Sequence, residues 1–189
     1  MWRELRPASV LFIVLTLLTG VAYPFLVTVA AQGAFPEQAA GSLLKREGRL
    51  IGSLLIGQPF DDPRYFWGRP SLTGPVPNNG AASSGSNRGP TNPALAEELA
   101  ARVSRLREDP AAPRLPPADL VTSSASGLDP HISPAAARFQ VTRVATARGL
   151  ALDAVIALVE AHVEGRTFGL LGEPRVNVLR LNLALDDLH

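Results

Sequence analysis

Residues 9–31 read Ser-Val-Leu-Phe-Ile-Val-Leu-Thr-Leu-Leu-Thr-Gly-Val-Ala-Tyr-Pro-Phe-Leu-Val-Thr-Val-Ala-Ala, inside a longer stretch, Pro7 to Pro36, without one charged side chain. At 1.5 Å per residue a helix over 9–31 spans about 34 Å, enough for a hydrocarbon core of about 30 Å. The sequence therefore predicts a short tail (1–8), a transmembrane helix (9–31) and a domain outside the bilayer (34–189). A buried core helix of this length would need a polar face, and none is present. A cleaved signal peptide competes: Arg3 and Arg6 make a positive n-region, and Thr28-Val-Ala30 or Val29-Ala-Ala31 has the form of a cleavage site. Against it, the apolar stretch outruns a usual h-region. Pro24 removes one backbone hydrogen bond and predicts a kink that membrane helices tolerate. Thr16 and Gly20 form one small-x-x-x-small pair, so Thr16, Gly20 and Pro24 are the candidates for packing against another membrane helix.

Lysine and arginine near the span are tied, Arg3 and Arg6 before it and Lys45 and Arg46 after it. The first pair is closer, which favours a cytoplasmic N-terminus and a translocated main domain. The whole chain has 189 residues, 46% hydrophobic and 19% charged, with a net charge of +1. That is too apolar for a disordered chain and gives no basic face for nucleic acid. The absence of cysteine excludes disulfides, iron–sulfur clusters, thiolate zinc sites and cysteine nucleophiles.

Beyond the span the pattern is mixed α and β, one α+β domain with a small sheet. Residues 37–47 suit a short helix, and Arg49 to Gly57 suits a buried strand. Residues 58–92, with six prolines and five glycines among them, predict a long loop of the kind that is functional or held by a partner. Asn92-Pro93 and Ser133-Pro134 are N-cap and first-position pairs, opening helices to about Leu106 and Arg148. Residues 110–117 are a proline-rich linker. Leu152 to Glu164 is a further helix. Val178 to Leu185 alternates leucine with Arg180, Asn182 and Ala184, which predicts a final strand.

Chemistry is hard to find. No Gly-x-x-x-x-Gly-Lys-Ser/Thr or Gly-x-Gly-x-x-Gly phosphate loop exists, and Lys45 is the single lysine. Ser126, Asp129 and His131 are too close in one loop for a catalytic triad and are expected to bond nearby backbone in turns. His131, His162 and His189 are too dispersed for a metal site. Asn177 and Asn182, on a strand, are expected to face solvent on alternate positions or to fix loops near Ser86-Asn87. A tethered domain without a catalytic set reads as an accessory or assembly subunit. The alternative is a secreted or anchored domain of unknown enzymatic function.

Five segments in matching order resemble the C subunit of the Kdp potassium-transporting ATPase, the KdpC family. They are Gly52-Ser-Leu-Leu-Ile-Gly-Gln58, Tyr65-Phe-Trp-Gly-Arg-Pro-Ser71, Ser84-Gly-Ser-Asn87 with Asn92-Pro93, Ser124-Ala-Ser-Gly-Leu-Asp-Pro-His-Ile-Ser133, and Asn177-Val-Leu-Arg-Leu-Asn-Leu-Ala-Leu185. The resemblance implies a single-pass protein of the bacterial inner membrane that keeps its anchor. Implied partners are a channel-like potassium-binding subunit (KdpA), a P-type ATPase subunit (KdpB) and a small single-span subunit (KdpF), besides membrane lipid. It also implies a non-catalytic role, supporting assembly and acting as a catalytic chaperone that raises the pump subunit's ATP affinity. No stably bound cofactor is implied, only ATP through a ternary complex with the pump subunit. The motif and interface candidates are Gln58, Arg69, Ser71, Ser86, Asn87, Ser126, Gly127, Asp129, Asn177 and Asn182. Gln140 is the nucleotide-related candidate, with a solvent-facing helix glutamine as its bland alternative. A translocated domain cannot touch cytoplasmic ATP, so any effect on affinity would pass through the span or partner subunits.

Overall fold

The computed structural model describes residues 2–108 and 115–188, so part of the expected 110–117 linker lies outside the described residues. The chain divides into two compact units, 1–51 and 52–189.

The first unit begins with a continuous helical rod: α1 (Trp2–Leu17), a π turn (Leu18–Ala22) and α2 (Tyr23–Ala34). Within residues 3–34 an 18-residue window has a mean hydropathy of 2.4 and is not buried against protein, so this is one candidate membrane span. Pro24 does not break the rod. Its ring would collide with the carbonyl of Gly20 in a regular α-helix. The backbone instead widens by one residue, and Tyr23 N–H bonds to Leu18 O. That is the usual way a helix absorbs an interruption. Gly20 falls in the π turn and Thr16 in α1, so the extra residue alters the register that would stack them on one face.

A short helix, α3 (Pro36–Ala39), and a hairpin of β1 (Leu43–Arg46) and β2 (Arg49–Ser53) follow. Glu47 and Gly48 both have positive φ, 51° and 78°, the pattern of a two-residue type I′ turn. The buried strand expected over 49–57 is corrected: β2 stops at Ser53 and is at most half-buried. The residues beyond it are captured by other loops, Gly57 N–H bonding to Leu128 O at 2.8 Å.

The second unit contains α4 (Pro93–Leu106), α5 (Ala118–Val121), β3 (His131–Ile132), α6 (Pro134–Arg148), α7 (Leu152–Ala161), β4 (Val163–Glu164), β5 (Arg175–Asn177) and α8 (Val178–Asp186). The small sheet has the order β3-β5-β4, antiparallel throughout, with Ile132 and Val163 both paired to Val176. Helix α7 packs on α6 and α8, and β5 on both α6 and α8. Their shared core contains Phe139, Val144, Val155, Val159, Val176, Leu181 and Leu185. The two expected caps are present. Asn92 Oδ1 accepts from Ala94 N–H, and Ser133 Oγ accepts from Ala136 N–H at 3.0 Å. Asp119 on α5 accepts in turn from Ser133 N–H at 2.7 Å.

The final strand is corrected: Val178–Asp186 is helix α8. The buried residues Val178, Leu181, Asn182 and Leu185 follow helical spacing, and the leucines that suggested alternation satisfy both periods. Asn177 decides between them. Its Oδ1 accepts from Arg180 N–H at 3.1 Å, an N-cap that turns the end of β5 directly into a helix. Its Nδ2 donates to Leu54 O at 2.9 Å. Replacing Asn177 by Ala should lower stability to urea by about 1–3 kcal/mol, the loss of a cap plus one buried hydrogen bond. Asn177→Asp should recover the cap share alone.

Candidate functional site

Tyr65, Phe66 and Trp67 thread between α6 and α8, and their backbone is held by side chains rather than by a neighbouring strand. Asn182, on α8 and 1% exposed, accepts from Phe66 N–H at 2.8 Å and donates to Phe66 O at 2.9 Å. Gln140, on α6 and also 1% exposed, accepts from Trp67 N–H at 2.8 Å and donates to Trp67 O at 3.1 Å. Each amide matches one residue's donor and acceptor as a strand partner would. The remaining capacity of Gln140 is filled by Ala136 O at 3.2 Å and by Arg143 at 2.7 Å. Neither side chain faces solvent, which corrects the expectation for Asn177 and Asn182 and the bland alternative for Gln140. Nor do Asn177 and Asn182 fix Ser86-Asn87: they hold Leu54 and Phe66.

Arginines complete the enclosure. Arg143 donates to Pro63 O and Tyr65 O and lies 3.9 Å over the Trp67 ring. Arg105 lies 4.5 Å over the same ring. Arg148 donates to Arg64 O, pairs with Asp186 at 2.6 Å and sits 4.7 Å over Tyr65. Trp67 and Arg105 line a cavity of about 290 Å³ with Gln58, Arg69, Ser71 and Asn78.

A second network joins loop 58–92 to loop 122–131. Arg69 pairs with Asp129 at 3.0 Å and donates to Ser123 O, while among the described residues its buried Nε has no hydrogen-bond partner. Burial pushes the Asp129 carboxyl up, but hydrogen bonds from His131 and Arg69 outweigh it and hold the group below the usual carboxylate range. Ser71 Oγ donates to Gly127 O at 2.7 Å and accepts from Asn78 N–H at 2.9 Å. Gly127 has φ +70°, and a Cβ there would stand 2.6 Å from Ser84 O, so only glycine fits this crossing. Ser126 Oγ accepts from Leu128 N–H, and Asp129 Oδ1 accepts from His131 N–H. The loop-turn reading of Ser126, Asp129 and His131 therefore matches the geometry.

The structure thus brings Arg69, Ser71, Gly127 and Asp129 together, and sets Gln140 and Asn182 along one extended segment. Gln58 lies against Gly52 and the cavity. Ser86 stands apart, its Oγ accepting from Arg88 N–H at 3.4 Å, and Asn87 takes φ +50°. Sequence reasoning missed Trp67, Arg105 and Arg143. The three-residue spacing of Gln140 and Arg143 on one helix was the available signal. Among the described residues no group of three His, Asp or Glu is placed to hold a metal ion.

What this geometry does is fix loops. A family model described as "KdpC: K+-transporting ATPase, c chain" matches residues 5–187. The chain belongs to the KdpC family. It is 65% identical over 187 residues to the potassium-transporting ATPase KdpC subunit of Sorangium cellulosum, covering 98% of both chains. It is 60% identical over 183 residues to that of Burkholderia ambifaria, covering 96% of this chain and 95% of the relative. With the Methylococcus capsulatus protein it shares 59% identity over 190 residues and the full length of both. This KdpC-family chain is thus an accessory subunit of the Kdp potassium transport complex, with one N-terminal helix long and apolar enough to cross a membrane.

Two measurements probe the site. Gln140→Leu and Asn182→Leu each strand two buried backbone groups, so each should lower unfolding stability by about 2–4 kcal/mol and shift Trp67 fluorescence. Asp129 contributes stability above its unfolded pKa of about 4 that is lost as pH falls through its lower folded value. Hydrogen-exchange protection in residues 122–131, measured against the intrinsic rate at each pH, should therefore fall below about pH 4, and Asp129→Asn should remove that dependence.

Proposed function

We propose that the chain is a non-catalytic subunit that supports assembly of the pump and raises the ATP affinity of its P-type ATPase subunit from a distance. It sits in a bacterial inner membrane with its N-terminus cytoplasmic and residues 34–189 outside. Its partners are the channel-like potassium-binding subunit, the P-type ATPase subunit and the small single-span subunit. Arg3 and Arg6, closest to the span, support this orientation.

The observation that carries the indirect route is Gln140. Every donor and acceptor of its amide is engaged with Trp67, Ala136 and Arg143. A glutamine so occupied has nothing left for a nucleotide, and the effect on ATP passes as coupling between separate sites. Arg69, Ser71, Gly127 and Asp129 then serve by giving loops 58–92 and 122–131 one fixed shape, a surface presented to partners at low ordering cost. ATP belongs to the pump subunit, in a ternary complex at most.

The test compares the pump assembled with the full chain and with a chain lacking residues 1–31. With the full chain the subunits co-purify and the apparent KM for ATP is low. Removing the anchor should abolish co-purification and raise that KM to the value of the pump without this subunit. An unchanged KM in the stripped complex would refute the affinity role.

A further inference from the structure

Strands β4 and β5 are joined by residues 165–174, which carry the most exposed apolar cluster of the second unit. Phe168 is 89% exposed, Leu170 80% and Leu171 64%. Among the described residues of this unit Leu55, Val76 and Leu115 stand singly, and Leu152 and Ile156 form only a pair one helical turn apart, which is ordinary for a protein surface. Three within four residues, at one tip, are not.

The tip is also built. Thr167 N–H bonds to Leu171 O and Leu171 N–H to Thr167 O, both at 2.9 Å, closing a bridge across it. Gly169 N–H bonds to Arg166 O and Leu170 N–H to Thr167 O. Phe168 takes φ +56°, a conformation glycine accepts more readily. The backbone thus spends hydrogen bonds on holding an aromatic ring out in solvent.

We propose that Phe168, Leu170 and Leu171 form a preorganised plug that seats in an apolar groove on another protein subunit of the transport complex. The charges at its base favour a protein over a lipid surface. Arg166 pairs with Glu173 at 2.8 Å, Arg175 with Glu164 at 3.0 Å, and Arg180 with Glu164 at 3.5 Å. A segment that binds anionic lipid carries a cationic collar in excess; here residues 164–175 hold two arginines against two glutamates, and the one further arginine, Arg180 on α8, shares Glu164. A fixed backbone lowers the ordering cost of entering a shaped groove, and buried aromatic anchors dominate subunit interfaces.

The proposal rests on the chain assembling with the pump, and the test separates the two. The full chain and its Phe168→Asp/Leu170→Asp variant are each expressed with the complex and recovered through a tag on the ATPase subunit. A Phe168→Leu variant serves as the conservative control, and Trp67 fluorescence verifies folding. The expected result is about a tenfold loss of the double variant from the purified complex, with the control retained. A benzophenone side chain at position 168 should cross-link to a protein subunit. Retention of the double variant within twofold of the parent, or cross-linking to lipid alone, overturns the plug. A parent chain that fails to co-purify overturns the assembly reading and the plug with it.

Discussion

Two buried side-chain amides hold this domain's longest loop in place. Asn182 and Gln140 supply Phe66 and Trp67 with the hydrogen bonds that a sheet neighbour would otherwise give. An extended segment inside a protein cannot leave its N–H and C=O groups unmatched. The sheet here is only three short strands, so helices α6 and α8 take over that duty. Phe66 can then be fully buried while the chain on either side of it remains irregular. Everything hung on the loop depends on that clasp: the Trp67 ring beneath two guanidinium groups, the adjoining cavity, and Arg69 with its partners one turn of chain later.

The arginines carry much of the remaining order. Arg143 and Arg148 each reach backbone carbonyls of the loop while lying over an aromatic ring. A guanidinium has five donors in a plane and stacks well, so one side chain can do both. A lysine has neither the fork nor the flat face. Most of these contacts join residues far apart in sequence, which is why the polar interior holds the fold together as much as Val155, Val176 and Leu181 do.

The parts of this architecture that depend on local rules were legible in the residue order. The apolar run 9–31, the Asn92-Pro93 and Ser133-Pro134 starts and the turns around Asp129 each follow from neighbours a few positions away. What escaped depends on distant partners. Leu179, Leu181, Leu183 and Leu185 alternate with Arg180, Asn182 and Ala184, yet Val178, Leu181 and Leu185 equally mark one face of a helix. Only the cap that Asn177 gives Arg180 decides the matter. Gln140 and Asn182 looked like surface residues because an amide is usually outside. Their burial depends on Phe66 and Trp67, more than seventy positions away, and no periodicity reports that. The five motifs identified the family without explaining it; Arg69, Ser71, Asn177 and Asn182 among them bond to distant loops.

One junction has a mechanical meaning. Strand β5 passes into α8 at Asn177 without an intervening loop, and the same helix carries Asn182. From Arg175 to the clasp the chain is therefore unbroken strand and helix, and residues 169–174 link it to Phe168. A subunit gripping the turn would thus be joined to the aromatic segment by one short stretch of strand and helix.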